Sequence, residues 1–321
     1  MILVTGGTGF LGSTLLQNLI DTGQSVIAIK RFNSHIPEQL KSSSLIQWVD
    51  AEITDYFALA EIFPQIKQVY HCAAKVSYQK VDAAEMFNTN IQGTKHIVNL
   101  CIKHAARLVH VSSIAALGTN KLGLPVKETD KWETLGKIAN YSKSKYESEM
   151  EVWRGIEEGL EAVIINPSVI MGVGFVMNGS RKIFDLVQKG NKIYTAGSVG
   201  IVDVQDVVRV MIQLMHSPIR SERFIVNAEN ISNKDLLIKI SQLMKKPEPR
   251  ILASAALLSI AWRLSKLISL VNGKKPTITA ENAQAANTKL MFDNSKIIQT
   301  LGVSFKPIDE ILREVCKTYY L

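Results

Sequence analysis

Cysteine is scarce in this chain: Cys72, Cys101 and Cys316 lie far apart among 321 residues, with no CxxC pair and no metal-ligand spacing. That excludes a disulfide framework and a cysteine-built zinc site, and it fits buried thiols in a reducing cytoplasm. The six histidines form no H-E-x-x-H pair, so no metal is expected. Neither G-x-S-x-G nor a P-loop occurs, which removes the hydrolase nucleophile elbow and the Walker phosphate site. No basic region leads an apolar one at the start, where Met1 runs straight into apolar residues and a glycine turn follows; a secretory leader is not expected and the protein is placed in the cytoplasm.

An uninterrupted spanning segment is also lacking. The most apolar tract, "ILASAALLSIAWRLSKLISLV" at 251–271, is broken by Arg263 and Lys266 and falls short of the ~20 apolar residues a membrane-crossing helix needs. Its expected role is a helix packed in a second domain; a lid over a greasy ligand and an interfacial anchor are the sharper alternatives. The net charge of +8 is not gathered into one basic arm, and the four tryptophans are dispersed, so no nucleic-acid surface is read. A small, phosphate-bearing ligand accounts for the charge more simply.

What is present is a steady alternation. Apolar runs at 2–5, 25–30, 46–50, 68–74, 107–113 and 161–167 are each followed by a longer stretch with helical spacing. Short strands apolar on both faces, alternating with helices, predict a parallel sheet joined by right-handed crossovers. The fold class is α/β, a doubly wound parallel sheet of Rossmann type.

The first run opens into "TGGTGFLG", in which Gly7, Gly9 and Gly12 form G-x-G-x-x-G between a strand and a helix that stops at Gly23. Such glycines serve a tight turn, close backbone approach and close helix packing around a pyrophosphate at a helix N-terminus. The same triplet occurs in ordinary tight turns; its place in the first βαβ unit is what points to a dinucleotide. At the end of the second strand, where an acidic residue would accept from a ribose 2′-hydroxyl, stand Lys30 and Arg31. Two cations suit the 2′-phosphate of NADP; read as solvated basic residues they leave NAD open.

Tyr141 and Lys145 in "NYSKSKYESE" are four apart, so a helix puts both on one face and the ammonium is expected to lower the phenol's pKa. Ser113 follows the fifth strand, where ligands bind in open sheets, and could hold a carbonyl or alcohol oxygen beside that phenol.

Taken together these elements resemble the extended short-chain dehydrogenase/reductases, and the likeness covers nearly the whole chain. "TGGTGFLG" resembles that family's cofactor turn, "HCAA" at 71–74 its adenine-side strand end, and "NTNIQGT" at 88–94 its central helix signature. "VSSIAALG" and "YSKSK" are similar to its catalytic elements, "INPSVIMGVG" at 165–174 to its proline strand end, and "VDVQDVV" at 202–208 to the return to the core. The resemblance implies four catalytic residues: Tyr141 as acid/base, Lys145 as ribose anchor and modulator of the phenol's pKa, Ser113 as holder of the substrate oxygen, and Asn90 as support of the central helix and member of a proton relay. It implies cofactor contacts at Gly6, Gly9, Phe10, Leu11, Gly12, Ala73, Ala74 and Pro167, besides Lys30, Arg31, Tyr141 and Lys145. It also implies a cofactor domain at 1–167, rejoined by 201–227, and a smaller, mainly C-terminal substrate domain at 168–200 and 228–321. A homodimer of the family's type is admitted by the likeness, and no sequence feature carries it.

The family's sugar-nucleotide epimerases usually carry arginine, asparagine and tyrosine where this chain has Asn166, Val169 and Met171. The pattern is closer to the dihydroflavonol reductase and 3β-hydroxysteroid dehydrogenase branch. An NADP(H)-dependent oxidoreductase acting on a small, rather apolar carbonyl or alcohol is therefore expected. A nucleoside diphosphate sugar epimerase or dehydratase and a cofactor-sensing protein without turnover are the alternatives.

Overall fold

Seven parallel strands form the central sheet of the computed structural model, which describes residues 1–119, 123–130, 132, 138–176, 179–272, 279, 283 and 286–321. Six come from the expected runs: β1 (Ile2–Thr5), β2 (Val26–Lys30), β3 (Ile46–Asp50), β4 (Gln68–His71), β5 (Arg107–Val111) and β6 (Ala162–Pro167). Two further strands, β7 (Val169–Met171) and β8 (Ile193–Tyr194), precede β9 (Ser198–Asp203), and β10 (Glu222–Val226) supplies the seventh strand of the sheet. The order is β3-β2-β1-β4-β5-β6-β10. It reverses direction between β1 and β4, whose last residues Thr5 and His71 are register partners. The crevice beyond these two strand ends is where an open α/β sheet takes its ligand.

Helices cover both faces because every central strand is apolar on both. On one face α1 (Phe10–Asp21) lays Leu15, Leu16 and Leu19 against the sheet. The other face carries α3 (Tyr56–Ile62) and α5 (Gly93–His104), the latter with Ile97, Val98 and Cys101, while the short α2 (Glu38–Lys41) and α4 (Ala83–Phe87) sit in the connections. The long α6 (Asn140–Glu157) packs beside α5 through Val152. After α7 (Arg181–Gln188), α8 (Val204–His216) returns to the first face, next to α1.

A smaller core lies at the strand ends. There β11 (Glu229–Ser232) pairs antiparallel with β9, which pairs parallel with β7. Phe184 of α7, Leu236 and Ile240 of α9 (Asn233–Leu243) and Leu312 and Val315 of the C-terminal helix Ile308–Tyr319 bury one another beside that sheet. A two-stranded ribbon of β8 and β12 (Ile251–Leu252) leads into α10 (Ala255–Asn272). This second sheet and the strand Glu222–Val226 were not among the expected runs. Their strands are short or amphipathic, and their partners lie far away in sequence.

Candidate functional site

The glycine turn owes its shape to two contacts. Gly6 has a φ of +70°, and a Cβ there would lie 2.8 Å from the Ala73 nitrogen. A Cβ on Gly12 would lie 2.2 Å from the Gly6 carbonyl oxygen. Gly7, the first glycine of the triplet, instead faces Leu16, Ala28 and Trp48, so the residue that makes the turn is Gly6. Helix α1 starts at Gly9 with no side-chain cap, leaving its first turn, Phe10, Leu11 and Gly12, open to an anion. Backbone that only glycine permits, facing an uncapped helix start, fits a dinucleotide's pyrophosphate. Ala73 is held to the turn by its N–H, which donates to Thr5 Oγ1 at 3.1 Å. Ala74 is exposed one residue further on, and Pro167 is buried at the end of β6.

The C-terminal helix reaches this turn as well, which no local pattern foretold. Tyr319 Oη donates to the Gly174 carbonyl at 2.7 Å and accepts from its N–H at 3.0 Å. That loop sits against the Phe10 ring, and Phe10, Gly172, Phe184 and Tyr319 line one small cavity.

At the end of β2 the two basic residues part. Lys30 is ion-paired with Asp50 on β3, whereas Arg31 is exposed and borders a cleft of about 540 Å³ with Thr8, Ser34, His35 and Phe175.

Ser113 and Tyr141 come together from the end of β5 and the start of α6. Ser113 Oγ caps a short turn by accepting from the Ala115 N–H at 3.1 Å, and its hydroxyl lies near enough to the Tyr141 phenol to favour the phenol's ionisation. The phenol is raised to about 12, by burial first and by Tyr78 second, with the Ser113 hydroxyl opposing. The expected lowering by Lys145 is not found. Both residues do lie on one helix face, but the Lys145 ammonium donates to the Val111 carbonyl at 2.8 Å, an acceptor that a buried cation needs. Burial also lowers Lys145 itself to about 8, against the pull of Glu149 and Cys72.

Asn90 lies in a π-helical turn, Asn88–Gln92, between α4 and α5. It accepts from the Lys75 N–H at 2.8 Å and donates to the Lys75 carbonyl at 3.0 Å and to Ser144 Oγ at 3.0 Å. Ser144 in turn donates to the Tyr141 carbonyl at 2.8 Å, so Asn90 reaches the tyrosine only through α6.

Two buried polar groups behind the site were not anticipated. Glu149 accepts from Ser112 Oγ at 2.6 Å and Asn166 Nδ2 at 2.8 Å, and is ion-paired with Arg223 at 3.0 Å. Asn166 also donates to the Ser113 carbonyl at 3.0 Å, tying the serine's strand end to that carboxylate. Glu149 stands four residues after Lys145, a spacing legible in the sequence; Arg223, on β10, is not. On the other side, His71 bridges Thr5 at 2.7 Å and Thr94 at 3.1 Å. Its ring lies 5.3 Å from that of His110, whose two nitrogens have no partner among the described residues.

A glycine turn at the sheet's switch point beside a Ser, Tyr and Lys grouping defines a pyridine-nucleotide-dependent enzyme of oxidoreductase type. The profile of the NAD dependent epimerase/dehydratase family matches residues 2–227, and the chain belongs to that family. It is 28% identical over 320 residues to a Synechocystis sp. protein named for dihydroflavonol 4-reductase, covering 97% of this chain and 92% of that one. It is 28% identical over 316 residues to the sterol demethylase protein B of Methylococcus capsulatus, covering 94% and 92%. Among solved structures the crystal structure of gox2253 superposes with a TM-score of 0.83 at 25% identity, covering 99% of this chain and 97% of that one.

Proposed function

We propose that this chain is an NADP(H)-dependent oxidoreductase of the cytoplasm that reduces a carbonyl, or oxidises a secondary alcohol, on a small and rather apolar molecule. The observation that carries this reading is the Ser113–Tyr141 hydroxyl pair next to Lys145, beyond the C-terminal strand ends of the sheet as the glycine turn is. A bound nicotinamide supplies or accepts the hydride. Tyr141 donates its phenolic proton to the substrate oxygen in reduction and recovers it in oxidation, while Ser113 Oγ holds that oxygen in place. Lys145, freed from the Val111 carbonyl, would anchor the ribose and bring the phenol down from about 12 toward a working range. Asn90 keeps the central helix and α6 in register through Ser144.

The preference for NADP rests on Arg31, a cation beside a roomy cleft with Ser34 and His35 at hand for a 2′-phosphate. The choice of an apolar substrate is supported by Asn166 and Met171, both buried, where sugar-nucleotide epimerases carry arginine and tyrosine. The names of two relatives point the same way, toward flavonoid and sterol chemistry. Residues 168–200 and 228–321 would furnish the substrate side. Mass spectrometry of ligands retained by the purified protein, followed by an NADPH-linked carbonyl panel, tests this reading. Net NADPH consumption that Tyr141→Phe abolishes supports it. Sugar-nucleotide interconversion with retained cofactor and no net absorbance change would replace it with an epimerase, and cofactor binding without any turnover with a sensor.

A further inference from the structure

Helix α10 wears its apolar face outward. Leu257, Ile260, Leu264, Leu267 and Ile268 recur at helical spacing and fall within a single stripe about 100° wide. Each is between 44% and 59% exposed. The residues turned the other way, Leu258, Trp262, Ser265 and Ser269, are the partly buried ones, so the helix presents its greasier side to the surroundings. Ile251 and Leu252, on the strand leading into it, are exposed too, as is Ile193, the register partner of Ile251. An apolar surface of this extent on a soluble fold marks a contact site. The helix is packed on the molecule through its partly buried face alone, and the apolar stripe is left outward.

Charge says what covers it. Residues 245–272 hold five Lys and Arg against one carboxylate, Glu248, and so carry half of the protein's net charge of +8. Arg263 lies at the edge of the stripe, its guanidinium over the Trp262 ring at 4.7 Å, so a cation stands at the apolar border. Among the described residues no helix is long and apolar enough to cross a membrane. A one-sided apolar stripe in a basic stretch of chain, with Arg263 at its edge, suits a helix lying in the plane of an anionic bilayer surface.

We propose that α10 docks this protein on anionic phospholipid membranes, with Leu257, Ile260, Leu264, Leu267 and Ile268 entering the acyl boundary and Arg263, with the other cations of this basic stretch, meeting the headgroups. This inference does not depend on the catalytic reading. The test is co-sedimentation of the full chain with vesicles of phosphatidylcholine alone and of phosphatidylcholine with about one-third phosphatidylglycerol. The protein is expected to pellet with the anionic vesicles, to be released by high salt and to stay in solution with the neutral ones. Leu264→Asp with Ile268→Asp, at exposed positions, should lower the bound fraction at least ~10-fold with an unchanged melting temperature. Arg263→Ser should weaken binding and flatten its salt dependence. Failure to bind anionic vesicles overturns the proposal. So does a dimer, seen by light scattering without vesicles, that the two aspartates dissociate, because the stripe then belongs to a second copy of the chain.

Discussion

Lys30 at the end of β2 is ion-paired with Asp50, its register partner at the end of β3, while Arg31 next to it pairs with no carboxylate among the described residues. A cation already neutralised by a neighbour has little left for a phosphate. The two residues that look equivalent in sequence are therefore unequal in the fold.

Cofactor choice should follow Arg31. A charge-assisted hydrogen bond is worth about 1.5–3 kcal/mol, so Arg31→Gln should weaken NADPH binding ~10- to 100-fold and leave NADH binding nearly unchanged. Lys30→Gln should cost less than Arg31→Gln. Fluorescence titrations with both cofactors check this, and a wild-type protein that binds NADH more tightly would sink it.

The proton should follow Tyr141. Tyr141→Phe removes the phenolic hydroxyl and leaves the ring, so cofactor affinity should persist while turnover falls ~10²- to 10⁴-fold. Ser113→Ala removes the hydroxyl that opposes the rise of the phenol, so the phenol should be pushed up further still. In the oxidation direction, where phenolate is the base, the rising limb of the pH–rate profile should shift to higher pH. Wild-type turnover in Tyr141→Phe would remove the tyrosine from the chemistry.

Acid should destabilise the protein through its paired histidines. Burial holds His71 down at about 3 and His110 well below its usual value, with Lys145 adding to both. Each imidazole is then neutral when folded and binds a proton when unfolded below about pH 6.5, so unfolding takes up protons and stability falls as pH drops from there toward 3. Each group contributes up to about 1.4 kcal/mol per pH unit in that window. Urea unfolding across the range should show a shallower slope for His110→Leu than for wild type. The same substitution removes two unpartnered buried nitrogens and should raise stability at neutral pH by ~1–3 kcal/mol. Identical slopes would mean that His110 is already protonated in the folded state.

The Glu149–Arg223 pair should be costly to break from one side. Glu149→Ala leaves the Arg223 guanidinium, which is 17% exposed, with the Glu128 and Asp130 carbonyls but no counter-charge, and takes an acceptor from Ser112 and Asn166. A loss of about 3–5 kcal/mol in chemical denaturation is expected, with part of it recovered in Glu149→Leu/Arg223→Met. A loss below about 1 kcal/mol would show that the pair is replaceable by solvent.

The six core strands, the turn at Gly6–Gly12 and the grouping of Ser113, Tyr141 and Lys145 were legible in the sequence. Each rests on local rules: alternation of apolar runs, the φ that only glycine tolerates, and the i,i+4 geometry of a helix. Glu149 was within reach of the same reading, four residues beyond Lys145. The role of Gly6 in place of Gly7 was not, because it depends on how closely Ala73, 67 residues away, approaches the turn.

Where the chain's charges and hydroxyls actually point was settled by residues distant in sequence. Asp50 claims Lys30, Val111 claims Lys145, Arg223 claims Glu149 and Tyr319 reaches back to Gly174. A long polar side chain takes whichever partner the packed core leaves within hydrogen-bond distance, and desolvation penalises it for having none. The outward stripe of α10 has the same origin. Its period is written in residues 255–272, but which face meets solvent is set by where the rest of the molecule ends.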